Sequence, residues 1–180
     1  GWSIPRRWHR LGTRLPMIKG RVVTPAYFTW SLLNRLRGDR LAVALDGRGG
    51  IHETDVAGAL ACRDGKAVRV LLWHFDGRRA KVSQHLGAGA ADITRRFSLD
   101  IAGLPARCRV RRLLIDRDHS NAYTDYVIKR KPDNGGRYNL ETGTVEIVAD
   151  EIRDAPAGRL RVAADLRNLS VCLVDIAPAE

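Results

Sequence analysis

Asp116, His119, Ser120 and Asn121 lie within six consecutive positions of this 180-residue chain and are its best candidates for catalytic chemistry. In a functional interpretation, His119 is a base oriented by Asp116, and Ser120 is the nucleophile that it activates. However, neighbouring residues at a junction between a strand and a helix cannot all converge on one reacting atom. Ser120 or Asn121 can instead cap the first free N–H groups of a helix, while Asp116 and His119 hold the loop by hydrogen bonds. We therefore expect these four residues, with Tyr123, to form a structural motif.

Four tryptophans offer flat aromatic faces on which a sugar ring can stack. Trp73 lies in an apolar, strand-like stretch, so we expect it in the core. Trp30 lies on a predicted helix and is expected to pack against the rest of the protein or against a missing domain. Trp2 and Trp8 stand on an irregular basic segment and are the candidates for substrate binding, although such residues more often fill a seam between domains.

Metal and cofactor sites have little support in the sequence. Cys62, Cys108 and Cys172 lie in apolar stretches without Cys-x-x-Cys spacing, which indicates free buried thiols. Residues 133–136 carry oxygen atoms but lack the spaced acidic series of a calcium loop, so a plain turn is expected there. No glycine-rich phosphate loop follows a predicted strand. We expect no cofactor and no metal.

The net charge of +11 is concentrated at the start of the chain. Residues 1–40 hold nine arginines and lysines against one acid, Asp39, whereas residues 41–180 have a net charge of only +3. This distribution favours a solvated basic segment, or a surface that another domain covers. A basic interaction module is an alternative, but the interleaved glycines and aromatics of an RNA-binding surface are absent, which argues against nucleic acid.

Hydropathy gives no indication of a membrane protein. No apolar run approaches the roughly 20 residues that span a bilayer, and the first residues lack the apolar core of a signal peptide. We expect a soluble protein with no membrane partner, and the compartment stays unassigned.

A single well-marked helix is predicted over residues 24–37. Thr24 suits the N-cap and Pro25 the first helical position. Phe28 and Leu32 then recur at a spacing of four, which is typical of an amphipathic helix. Gly38 is the expected stop.

From residue 41 onward the pattern is that of short strands separated by turns. Residues 160, 162, 164 and 166 are apolar and alternate with polar ones, and Arg63-Asp64-Gly65-Lys66 suggests a type I′ hairpin with Asp-Gly at its centre. The predicted strands are 41–45, 56–62, 68–75, 97–101, 110–115, 144–148, 160–166 and 169–176. A short helix is expected over residues 120–131. The fold class is therefore mainly β: an antiparallel sandwich with an N-terminal helix and one short inserted helix.

Several segments match one enzyme family in content and in order. They are residues 24–38, the hairpin within 56–75, Gly103-Leu104-Pro105, and the closing strands 160–176. The most specific is Ile115-Asp116-Arg117-Asp118-His119-Ser120-Asn121-Ala122-Tyr123. Together they resemble the C-terminal portion of glycoside hydrolase family 39, the β-xylosidase and α-L-iduronidase group. The opening residues, 1–8, are weakly similar to a loop of the iduronidase-like members.

The resemblance implies an accessory β-sandwich beside a catalytic (β/α)8 barrel, with residues 24–37 as the helix after the last barrel strand. Two glutamates of that barrel perform retaining hydrolysis at a separation of roughly 5 Å, and the acid/base follows an asparagine. No Asn-Glu pair occurs in this chain, so no catalytic residue is carried over, and we expect the isolated chain to be inactive.

The expected organisation is a basic irregular segment with a barrel-type helix at 1–40 and the sandwich accessory domain at 41–180. Its expected partners are a catalytic barrel or a second copy of the chain, and a xylo-oligosaccharide or other glycoside as ligand. A free-standing carbohydrate-binding sandwich is the first alternative, and an interaction module that uses the basic segment is the second.

Overall fold

The computed structural model describes residues 18–19, 22–45, 48–49, 57–75, 94–122, 125, 138 and 143–179. Antiparallel strands form most of these residues, which confirms the predicted fold class. The strands are β1 (Ile18–Lys19), β2 (Val22–Val23), β3 (Asp39–Leu41), β4 (Ala44–Leu45), β5 (Arg48–Gly49), β6 (Ala57–Asp64), β7 (Ala67–His74), β8 (Thr94–Ile101), β9 (Arg107–Ile115), β10 (Glu146–Asp154), β11 (Leu160–Arg167) and β12 (Ser170–Pro178). The helix α1 spans Pro25–Leu33.

Six strands form the main sheet, in the order β10-β9-β12-β7-β6-β3. The last strand, β12, lies between β9 and β7 and pairs with both in antiparallel register. Strands β8 and β11 form a second, two-stranded sheet, and β1-β2 and β4-β5 are small antiparallel pairs. Because the chain passes from β11 in one sheet to β12 in the other, its closing strands connect the two layers.

The two larger sheets enclose the first hydrophobic core. On β11, Leu160, Val162, Ala164 and Leu166 are buried and their neighbours are exposed, as their alternation in the sequence predicts. They pack with residues of β6, β7, β9 and β12, among which Val110 and Val174 are fully buried. The alternation works because successive side chains of a strand point to opposite faces.

The opposite face of the main sheet carries a second core under α1. Phe28 and Leu32 of the helix pack with Leu71, Leu113 and Leu173 of three adjacent strands. The central strands of the main sheet are therefore covered on both faces. This explains why their sequences are nearly continuous apolar runs and do not alternate.

The helix is shorter than predicted and differs on its outer side. It ends at Leu33. The amide of Asn34 still bonds four residues back, to Trp30 O at 2.9 Å, but the two amides after it bond three residues back: Arg35 N to Leu32 O at 3.1 Å and Leu36 N to Leu33 O at 3.0 Å. Such bonds tighten a last turn into 3₁₀ geometry. The helix contains no charged residue, and Trp30, 57% exposed, lies opposite its buried face. Its outer side is thus not the charged surface of an ordinary amphipathic helix.

The β6-β7 hairpin forms where it was predicted, with a different turn. Asp64 pairs with Ala67, so the two loop residues are Gly65 and Lys66. Gly65 has φ +57°, whereas Lys66 is not in the left-handed region. Positive φ at the first central residue alone is the mark of a type II′ turn. The prediction of a type I′ turn centred on Asp64 and Gly65 is therefore wrong by one residue.

Strand β10 is longer than the predicted 144–148 and begins later. It continues to Asp154 through polar residues that carry no apolar alternation. It lies at the edge of the main sheet, pairs only with β9 among the described strands, and contains a bulge between Ile147 and Ala149. An edge strand with little burial does not need an apolar face, so its pattern gives little signal.

The short helix predicted at 120–131 lies mostly outside the described residues. Within them, the amide of Asp125 donates to the carbonyl oxygen of Asn121 at 3.1 Å, as in one helical turn. Tyr138 is buried beside α1, its ring centroid lies 6.2 Å from that of Phe28, and its hydroxyl donates to Asp125 Oδ2 at 2.6 Å.

Candidate functional site: the loop after the ninth strand

The loop that follows β9 is organised around the carboxylate of Asp116. Its Oδ1 atom accepts hydrogen bonds from the amides of Asp118 and His119, at 2.8 and 2.7 Å, and lies 2.8 Å from His119 Nδ1. The backbone closes the same turn, since the amide of Asp116 donates to the carbonyl oxygen of His119 at 3.1 Å. The Asn121 side chain donates to the Asp116 carbonyl oxygen at 3.2 Å. These contacts satisfy the nearly buried Asp116 from within its own loop.

Ser120 joins this loop to the neighbouring strand. It is almost completely buried and its φ is +53°, a left-handed conformation that is uncommon outside glycine. Its Oγ donates to the carbonyl oxygen of Leu114 at 2.8 Å and accepts the amide of Glu146 at 2.9 Å. The hydroxyl therefore links the end of β9 to the start of β10. This differs from the predicted helix cap, because Ser120 bonds the sheet.

The loop is also attached to the second sheet. Arg167, at the end of β11, donates to Asp118 Oδ2 at 2.9 Å. This ion pair is partly exposed and is therefore expected to contribute little to stability, on the order of 1 kcal/mol or less. Its effect is positional, since the loop now connects β9, β10 and β11.

The chemistry available to this cluster is limited by its hydrogen bonds. A nucleophilic serine needs a base within hydrogen-bond reach and access to a substrate. Ser120 is 1% exposed and bonds Leu114 and Glu146, while the His119 ring bonds Asp116. The contacts favour the structural interpretation of Asp116, His119, Ser120 and Asn121 over a catalytic one. Tyr123 lies outside the described residues.

The tryptophans fall into three situations. Trp2 and Trp8, the candidates for sugar binding, lie outside the described residues. Trp30 is exposed on α1. Trp73, which was expected in the core, is only half-buried and belongs to neither hydrophobic core among the described residues. Its indole lies on Gly58 of the adjacent strand, a contact that the sequence does not reveal because it depends on strand register.

Two glutamates lie in the described part of the chain, Glu146 and Glu151, both on β10. They pair with Leu114 and Val110 of β9, which places their Cα atoms about 14 Å apart at the usual rise of a strand. Both stand at the edge of the main sheet, and neither lines the cavity between the sheets. That cavity, of about 800 Å³, lies between the sheets near β6 and β8 and is lined mostly by small and apolar residues.

A row of alternating charges crosses three adjacent strands of the main sheet. Asp175 of β12 is directly opposite Arg69 of β7 and Arg111 of β9, at 3.3 and 3.0 Å. Asp175 is nearly buried, so these partners supply the charge compensation that it needs. At the edge, Arg109 bonds both carboxylate oxygens of Asp150, at 2.7 and 2.6 Å, and this bonding holds the pKa of Asp150 below its ordinary value.

The described residues contain no group of three or more histidine, cysteine or acidic side chains arranged to hold a metal ion. Within the same part of the chain, no helix has the length and apolar character to cross a bilayer.

The architecture defines an antiparallel β-sandwich with a helix covering its larger sheet, and solved glycosidases share it. The GH39 enzyme from Xanthomonas axonopodis pv. citri superposes with a TM-score of 0.65 at 17% identity, over 88% of this chain and 31% of that one. A monomeric β-xylosidase from Caulobacter crescentus gives 0.62 at 18% identity with the same coverages. A bacterial orthologue of human α-L-iduronidase gives 0.57 at 18% identity, over 88% and 28%.

These likenesses concern the fold. The chain spans less than a third of the length of these neighbours and shares the fold of that part of them, as expected for the C-terminal portion of a family 39 glycosidase. No protein-family model matches the sequence, and the search of curated proteins found no match. The resemblance drawn from residues 24–38, 56–75 and 115–123 is thus confirmed at the level of structure.

Proposed function

We propose that this chain is an accessory β-sandwich that covers and stabilises the catalytic barrel of a family 39-like glycosidase of the β-xylosidase type. The barrel is supplied by a polypeptide region outside residues 1–180. In this role the chain contributes surface and geometry to the enzyme, and hydrolysis is performed by carboxylates of the partner domain.

The proposal rests on the outer side of α1, which carries no charge and exposes Trp30. A helix without charged residues is typical of a buried layer, yet Trp30 is 57% exposed. The inner residues Phe28 and Leu32 are already covered by the main sheet. Trp30 is therefore the centre of the surface that we assign to the catalytic domain, and it is flanked on the helix by Tyr27 and Leu33, which pack in part against the second core. The similar solved enzymes, of which this fold makes up about a third, are consistent with such a partner.

The decisive experiment begins with the coding sequence next to that of Gly1. The proposal predicts an adjacent barrel-encoding region that contains an Asn-Glu pair. That region is expressed with and without residues 1–180, and hydrolysis of a nitrophenyl β-xyloside and the thermal midpoint are measured. We expect the barrel to be more stable and more active with the sandwich present.

Two variants make the test specific. Trp30→Glu places a charge on the proposed contact and is expected to abolish the gain in stability, because a buried unpaired carboxylate is costly. Ile152→Glu is the matched control: Ile152 is 55% exposed, but it lies on β10 at the edge of the main sheet. Equal effects of the two substitutions, or a barrel that is equally stable alone, would contradict the proposal.

A further inference from the structure

We propose that Trp73 and Phe75 form a platform that binds pyranose rings at the end of β7. The sugar class used to test it rests on the proposed function. The platform itself follows from the geometry of the sheet.

The first observation is the contact between Trp73 and Gly58, which face each other on β7 and β6. A Cβ atom on residue 58 would lie 2.7 Å from Cε2 and 2.9 Å from Cη2 of the indole, and closer still to Cζ2. Real Cβ atoms do not approach other atoms this closely, so only glycine permits the arrangement. The six-membered ring of Trp73 therefore lies against the backbone of β6, where a larger residue at position 58 would displace it.

The second observation is that this aromatic pair is not used by either core. Among the described residues, Trp73 joins neither hydrophobic cluster, and Phe75 is 60% exposed. Alternate residues of an extended chain project to the same side, about 7 Å apart. One saccharide ring can thus contact both aromatics, or two adjacent rings can contact one each.

An aromatic surface and the less polar face of a sugar ring are electrostatically complementary. The face of an aromatic ring carries partial negative charge, and the C–H groups on the less polar face of a pyranose carry partial positive charge. The other large exposed apolar residues of the sheet, Ile147, Val148 and Ile152, are aliphatic and lie on β10, with β9 and β12 between them and β7. They offer no aromatic face. Trp73 and Phe75 are therefore the pair suited to a sugar.

The experiment titrates the full chain with xylohexaose by calorimetry and by saturation-transfer NMR, with the acyclic alditol xylitol as the reference ligand. We expect weak binding of the oligosaccharide, transfer of saturation to its ring protons, and no comparable signal from xylitol. Phe75→Ala and Trp73→Ala should each weaken binding by about fivefold, the scale of one aromatic contact. Ile152→Ala, the matched exposed aliphatic residue on β10, should bind like the parent chain.

Phe75→Ala keeps the test valid if Trp73→Ala destabilises the fold by uncovering Gly58, because Phe75 is already mostly exposed. Absence of pyranose binding would overturn the inference, as would equal binding of xylitol. Binding that is lost only with Trp2→Ala or Trp8→Ala would also overturn it, in favour of the N-terminal segment. A chain that binds no sugar can still dock a barrel through Trp30, so that result would not bear on the proposed function. Sugar binding without barrel docking would reject only the proposed function.

Discussion

Gly38, which follows α1, lies directly against the backbone of Arg63 at the end of β6. A Cβ atom on Gly38 would overlap the carbonyl oxygen of Arg63 and lie 2.8 Å from its carbonyl carbon, and the φ of Gly38 is +83°. The close approach exists because the next residue, Asp39, pairs with Arg63 as β3 joins the main sheet. Glycine is thus needed here for both its backbone conformation and its size.

The first prediction compares two glycines. Gly38→Ala should lower the free energy of unfolding by about 3 kcal/mol, because strain at positive φ adds to an overlap with backbone atoms that cannot move aside. Gly65→Ala is the control, since Gly65 has φ +57° but no atom near its Cβ position, and it should cost only about 1 kcal/mol. Urea unfolding measures both, and similar losses would show that the contact with Arg63 is not tight.

The second prediction concerns the hydroxyl of Ser120. Ser120→Ala should cost about 2 kcal/mol, because it leaves the carbonyl oxygen of Leu114 and the amide of Glu146 without their partner in a part-buried setting. Ser98→Ala, on the exposed side of β8, should be close to neutral. Equal stability of the two variants would show that the Ser120 hydroxyl does not hold β9 to β10.

The third prediction concerns thiol chemistry. All three cysteines are free and buried, and burial raises the pKa of Cys172 to about 12 and that of Cys108 above its ordinary value. Because the thiolate is the reactive form, neither should react with an aromatic disulfide reagent at about pH 8 in the folded protein. Both should react in denaturant, as measured by mass spectrometry.

The raised pKa of Cys172 also determines how the stability of the fold changes with pH. The folded state retains the proton of Cys172 to about pH 12, whereas an unperturbed cysteine thiol has a pKa of 9.0. Its contribution to stability is therefore complete below pH 9.0 and is lost as the pH rises toward 12. Rapid labelling of Cys172 in the folded protein would contradict both statements.

The fourth prediction is self-association of the isolated chain. Without a catalytic domain, the uncharged outer side of α1 exposes Trp30, and apolar surface of this kind favours association. We expect the mass measured by light scattering to rise with concentration and to fall toward the monomer in Trp30→Glu. A clean monomer of the unmodified chain at high concentration would count against it.

Most of the strands could be predicted from the sequence because burial on one or both faces leaves a readable pattern. The alternation at Leu160–Leu166 indicates a strand that is buried on one face. The apolar run around Leu71 indicates a strand that is buried on both faces. The far half of β10 could not be predicted, since an exposed edge imposes no apolar pattern. The candidate site was located by its residue types, but the role of Ser120 was not, because its partners come from Leu114 and from Glu146, 26 positions away.

The sequence by itself determined the antiparallel strands, the position of the helix and the likeness to family 39, since these follow from local periodicity, turn chemistry and a specific string of residues. Only the tertiary structure decided that β12 inserts between β9 and β7, that Trp73 rests on Gly58 outside the cores, and that α1 covers one face of the main sheet while presenting Trp30 outward. These features depend on strand order and register. Both are set by contacts between distant segments, and no short stretch of sequence encodes them alone.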